Sequence, residues 1–140
     1  MAIERNKELV HRMLGAFNSG DETVVDAVMH DQLVDHTPFP GTGADRNGLK
    51  TQIRAVKRAF PNAKFSIDRI ISEGDTVAFR WRMEGTHRGP LLGHNATEKA
   101  FVHFGNDMVT IKDGRIAEHF SADNIGELLQ SLGISPPTPR

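Results

Sequence analysis

The 140-residue sequence predicts an α+β fold, a curved antiparallel sheet whose concave side is closed by helices from the N-terminal half. Three observations carry that prediction. Apolar residues recur at helical spacing up to Phe60, with Ile3, Val10, Met13, Leu14 and Phe17 on one stripe and Leu49, Ile53, Val56 and Phe60 on another. After Pro61 the period shortens to two, so that Phe65 and Ile67, then Val77, Phe79, Trp81 and Met83, alternate with polar neighbours. Finally, Asp113-Gly114 stands between two β-prone segments, the dipeptide that a type I′ hairpin turn requires because both central residues take positive φ.

Taken in order, Ile3 to Asn18 reads as an amphipathic helix, stopped by Ser19-Gly20-Asp21-Glu22. Ser19 and Glu22 have capping-box spacing for a second, short helix with Val24, Val25, Val28 and Met29 apolar. A brief strand over Leu33 to His36 runs into Thr37-Pro38-Phe39-Pro40-Gly41, where two prolines forbid regular ladder bonds. A third helix spans Asn47 to Phe60 and is ended by Pro61. Strands follow over Lys64 to Ser72 and Thr76 to Thr86, around the turn Glu73-Gly74-Asp75, and His87 to Thr97 reads as a loop. Phe101 to Asn124 forms the Asp113-Gly114 hairpin. If Lys112 pairs with Arg115, counting outwards sets Ile111 beside Ile116, Val109 beside Glu118 and Asp107 beside Phe120, an order that a bulge would invert. The last helix, Ile125 to Leu132, has Gly133 as its C-cap. Residues 1–134 make one domain on this reading, and 135–140 a flexible tail.

Composition excludes several classes of function. The formal net charge is -1 with no block of like charge, which favours neither nucleic acid nor a membrane surface as partner. Zero cysteines remove disulfides, thiolate metal sites and thiol nucleophiles. No apolar run is long enough to span a bilayer and MAIERNKELV lacks a signal-peptide pattern, so a cytoplasmic location is the expectation. The 7 histidines and 18 acids show no ligand spacing on one element, and no metal is expected; phosphate-binding loops, dinucleotide fingerprints and Gly-x-Ser-x-Gly elbows are also missing.

The order helix, helix, VDHTPFPG, helix ending AFP, EGDTVAFRWRMEGTHRG and KDGRIAEHFSADNIGELLQSLG resembles the SnoaL-like polyketide cyclase and ester cyclase branch of the NTF2-like superfamily, from about Asn6 to Gly133. The resemblance implies an NTF2-like cone. It also implies cofactor-free acid/base chemistry: intramolecular aldol closure of a ring on a polyketide ester, with a carboxylate as acid/base and no metal. By position that carboxylate matches Asp123, after IAEHFSA and before the last helix. The family's histidine on the neighbouring strand has His103 as its counterpart only on the preceding strand segment, since Asn106 to Thr110 holds none. The absence of tyrosine argues against a ketosteroid-isomerase arrangement.

Abstraction of a proton beside a carbonyl needs a base and hydrogen-bond donors for the enolate. Asp123 is the candidate base, with His119, His36 or Arg80 as donor, but Asp123 is equally suited to capping the last helix. His36 can fix the proline turn instead, and the parity of its strand leaves His119 on either face. Phe17, Arg80, Trp81 and His103 are the candidate substrate-binding residues; Arg80 and Trp81 fall on opposite strand faces, so both cannot line one cavity in a regular strand. The partner expected is a small hydrophobic carbonyl compound, with a homodimer through an open sheet face. The alternatives are a non-catalytic ligand-binding or dimerisation domain, and an epoxide hydrolase or dehydratase using an Asp123, Arg80 and Asp68 set.

Overall fold

A computed structural model describes residues 2–134; the tail expected over 135–140 lies outside them. The elements are α1 (Ala2–Ser19), α2 (Thr23–Val28), β1 (Met29–Asp35), α3 (Arg46–Ala59), β2 (Lys64–Glu73), β3 (Thr76–Thr86), β4 (Ala100–Lys112), β5 (Arg115–Ala122) and α4 (Ile125–Ser131). The five strands form one open sheet in the order β1-β5-β4-β3-β2. All neighbours are antiparallel except β1 and β5, which run parallel. This is the α+β architecture expected, with the helices packed on one side of a curved, unclosed sheet.

The period-2 pattern orients the sheet. Val77, Phe79, Trp81 and Met83 of β3 are buried and turn to the helices, as do Phe101, His103, Gly105, Val109 and Ile111 of β4. Against them lie Val10, Met13, Leu14 and Phe17 of α1 and Leu49, Ile53 and Val56 of α3. The opposite sheet face keeps Val102, Phe104, Met108 and Phe120 exposed.

Four local expectations are corrected. The second helix ends at Val28, and β1 begins at Met29 rather than Leu33, because pairing with Ile116 of β5 extends it. No Ser19–Glu22 capping box forms; Asp21 Oδ1 accepts from the Thr23 N–H at 3.0 Å and the Thr23 hydroxyl at 2.6 Å. The third helix starts at Arg46 with Asp45 as its cap, its carboxylate accepting from the Gly48 N–H at 2.9 Å. The fourth correction shapes the site.

The hairpin turn is the one expected, with φ 52° at Asp113 and 73° at Gly114, and Lys112 pairs with Arg115 and Ile111 with Ile116. Beyond them the register shifts at Ala117. Thr110 faces Glu118, Val109 faces His119 and Asp107 faces Ser121, in place of the expected Val109–Glu118 and Asp107–Phe120 pairs. One extra residue in β5 reverses which side chains look inward from that point on.

Candidate active site

Between the sheet and the helices is a cavity of about 360 Å³. Most of its wall is apolar: Met13, Leu14 and Phe17 of α1, Leu49 and Val56 of α3, Phe60, Phe65, Trp81, Met83 and Leu91. The polar groups collect at one end, where β1 and β5 finish beside the middle of β4: Asp35, Thr37, Asp107, His119, Ser121 and Asp123.

His119 is the centre of that end. Its Nδ1 lies 3.0 Å from Asp35 Oδ1 and its Nε2 lies 2.7 Å from Asp107 Oδ2. A carboxylate at each ring nitrogen needs an N–H at each, so the geometry calls for the imidazolium. Burial works against that charge, yet the hydrogen bonds and charges of Asp107 and Asp35 outweigh it and hold the ring protonated up to about 9. Burial also pushes the Asp35 carboxyl up, but the hydrogen bond and charge of His119, the Thr37 N–H at 3.0 Å and the charge of His36 bring it below its ordinary value.

Asp107 is fully engaged. Besides His119 it accepts from the indole Nε1–H of Trp81 at 2.9 Å and the hydroxyl of Ser121 at 2.8 Å, both on Oδ1. The Trp81 contact depends on Gly105, its cross-strand partner. A Cβ at position 105 would stand 2.1 Å from the indole Cζ2, so only glycine lets the ring lie flat enough over β4 to reach Asp107.

Asp123 lines the same cavity from the junction of β5 and α4. Its Oδ1 is hydrogen-bonded to Nε2 of the buried His103, whose ring meets Trp81 edge-on at 5.8 Å. The cap of α4 is not Asp123 but Asn124, whose side chain accepts from the Glu127 N–H at 3.1 Å. Asp123 is thereby released from capping, its side chain 26% exposed, and Oδ2 has no hydrogen-bond partner among the described residues.

The other candidates divide by strand face. Phe17 and Trp81 line the cavity, and His103 stands behind Asp123 without lining it. His36 lies outside: because Asp35 points inward, its neighbour points out, where Nε2 meets Glu118 at 3.0 Å and the ring stacks on Phe120 at 4.3 Å. Arg80 is outside for the same reason, next to inward Trp81. It pairs with Asp68 at 3.2 Å and lies 4.4 Å over the Phe104 ring. The Asp123, Arg80 and Asp68 set therefore does not assemble. Asp35, Asp107, Ser121 and Gln52, all on the cavity wall, were not among the candidates. Gly105 was the available signal for Asp107, since a glycine inside a strand marks a close approach, and here it opens the path between Trp81 and the acid two residues on.

A sequence model of the SnoaL-like polyketide cyclase family matches residues 7–132. The chain belongs to that family. It is 28% identical to the aklanonic acid methyl ester cyclase DauD of Streptomyces sp. strain C5, over 94% of this chain and 84% of that protein. Among solved structures it resembles TsrD of Streptomyces laurentii at a TM-score of 0.84 and 26% identity, covering 93% of this chain and 96% of the other. IdmH of Streptomyces antibioticus superposes at 0.79 with 28% identity, covering 92% and 99%. The NTF2-like fold and the SnoaL-like membership expected from sequence both hold. These likenesses support a cyclase-type function. In this SnoaL-like chain, Asp123 is a cavity acid with one oxygen bonded to a buried histidine and the other free, and the His119 cluster forms a separate charged wall.

Proposed function

We propose that this SnoaL-like chain closes a ring by intramolecular aldol addition on a small hydrophobic carbonyl compound, without a cofactor, with Asp123 as acid and base. The supporting observation is the placing of that one carboxylate: on the wall of a largely apolar cavity, one oxygen fixed by His103, the other without a protein partner. Asp123 Oδ2 takes the proton α to a carbonyl, and the enolate carbon attacks a second carbonyl of the same molecule. A carbon–carbon bond forms, and the new alkoxide recovers the proton from Asp123, so that atoms and charge balance with no added reagent.

The enolate and alkoxide oxygens need donors, and most polar groups here are already committed. Both His119 nitrogens, the Trp81 indole and the Ser121 hydroxyl are turned to Asp35 or Asp107. The Thr37 hydroxyl, which accepts from the Ser121 N–H at 2.8 Å, keeps its proton for a ligand. The Gln52 side-chain amide has no partner among the described residues, and both residues line the cavity. We assign these two the oxyanion contacts.

The test uses a panel of polyketide methyl esters, with aklanonic acid methyl ester first because it is the substrate named for the relative DauD. Ring closure by aldol addition gives a product of unchanged mass and new retention time on liquid chromatography. Asp123→Asn should lose about 10²–10⁴-fold in turnover with its circular dichroism unchanged. Turnover retained in that variant removes the base.

A further inference from the structure

The polar end of the cavity is rich in acceptors, and a second of them, besides Asp123 Oδ2, is unused. Asp35 is 5% exposed, lines the cavity, and its carboxylate takes both of its hydrogen bonds on Oδ1, from the Thr37 N–H and from His119. Its Oδ2 has no partner among the described residues. Nor is it sealed: the sealed and unpartnered side-chain atoms among those residues are Ser72 Oγ and His87 Nε2. Asp107 offers nothing comparable, since Trp81, Ser121 and His119 occupy both of its oxygens.

A desolvated carboxylate oxygen facing an apolar hollow selects what it will meet. An apolar group there strands the charge, a carboxylate or phenolate repels it, and a neutral O–H satisfies it with a charge-assisted bond. We infer that Asp35 is a specificity-determining residue, whose Oδ2 accepts a hydrogen bond from a neutral hydroxyl (phenolic, enolic or alcoholic) on the ligand. The inference rests on the cavity being the ligand site of the proposed function and deepens it by naming a substrate feature. The ligand is then held at two acceptors, a hydroxyl on Asp35 and the reacting carbon beside Asp123, and His119 fixes the anchor in place by holding Oδ1.

Binding can be read without turnover. Calorimetry at pH 7 compares 2-naphthol with 2-methoxynaphthalene, which differ in the donated proton. The wild-type protein should bind the naphthol about tenfold more tightly, the scale of a hydrogen bond to a charged group. Asp35→Asn keeps an oxygen for Thr37 and His119 but turns the free acceptor into an amide donor, and the two ligands should then bind within about twofold of each other. Asp123→Asn should keep the preference. Equal binding in the wild type, or a preference that survives Asp35→Asn, overturns the anchor while leaving the ring-closing proposal standing. If neither naphthalene binds, the anchor falls, and the ring-closing proposal is decided separately by turnover of the polyketide esters. Should Asp35→Asn not fold, a crystal structure of the wild type with 2-naphthol decides: the hydroxyl within hydrogen-bond distance of Asp35 Oδ2 upholds the anchor, and any other placement removes it.

Discussion

Two histidine–carboxylate sets lie back to back across β1 and β5, built from neighbouring residues. Asp35 and His119 are cross-strand partners, and so are Val34 and Glu118 one step away. On the helix side, Asp35, His119 and Asp107 form a chain of bonds with side chains 5%, 15% and 9% exposed. On the other side, His36 and Glu118 meet at 3.0 Å with side chains 40% and 42% exposed. Residue types and distances are nearly the same, and the surroundings are opposite. Inside, water cannot replace a lost partner, so each charge depends on the others; outside, solvent screens the pair and substitutes for either member. A histidine beside an acid therefore says little about chemistry until its strand face is known.

The sharpest way to break that contrast is to remove one carboxylate from each set. Asp107→Ala leaves the His119 imidazolium short of a partner and frees the Trp81 and Ser121 donors, and urea unfolding should report a loss of about 3–5 kcal/mol. Glu118→Ala, taken through the same titration, should cost less than about 1 kcal/mol. Equal costs would mean that the inner cluster is solvated and that the two sets are equivalent.

Acidity separates the two sets next. The folded value of His119 lies at about 9, above its ordinary 6.5, so its stabilising contribution is complete below about pH 6.5 and falls away as pH rises to about 9. A shift of that size corresponds to roughly 3 kcal/mol at most. Asp35 works in the other direction: its value is lowered, so its contribution is present above its ordinary 3.8 and is lost as pH falls below that. Thermal melts from pH 6 to 10 should show declining stability in the wild type and a flatter profile in His119→Gln. A matching decline in His119→Gln would assign the effect elsewhere.

A smaller effect tests the geometry that seats the inner cluster. Gly105→Ala puts a Cβ against the Trp81 indole, which must shift, with a cost of about 1–3 kcal/mol and a changed emission maximum of the chain's single tryptophan. Unchanged fluorescence would show that Trp81 does not need the bare backbone to reach Asp107. The smallest effect expected is from His36→Ala, within about 1 kcal/mol by the same unfolding titration, because the ring stacks on Phe120 at an exposed site.

Local pattern was enough for much of this protein. The apolar stripes of α1 and α3, the two-residue alternation of β3 and the Asp113-Gly114 turn follow from spacing and backbone preference, which act within a few residues; which face of β3 turns inward, and Leu132 rather than Gly133 as the C-cap of α4, came with the structure. The resemblance of the C-terminal stretch brought Asp123 forward, but the choice between cap and cavity was settled by Asn124 taking the Glu127 N–H. The inner cluster was beyond local reading. His119 faces the cavity because a bulge at Ala117 shifts β5 against β4 by one residue, and Asp35 meets it because β1 pairs in parallel with β5 from 84 positions away in the chain. Side chains alternate every residue along a strand, so one inserted residue exchanges the buried set for the exposed one. That insertion is fixed by the pairing of whole strands, and no short stretch of sequence contains it.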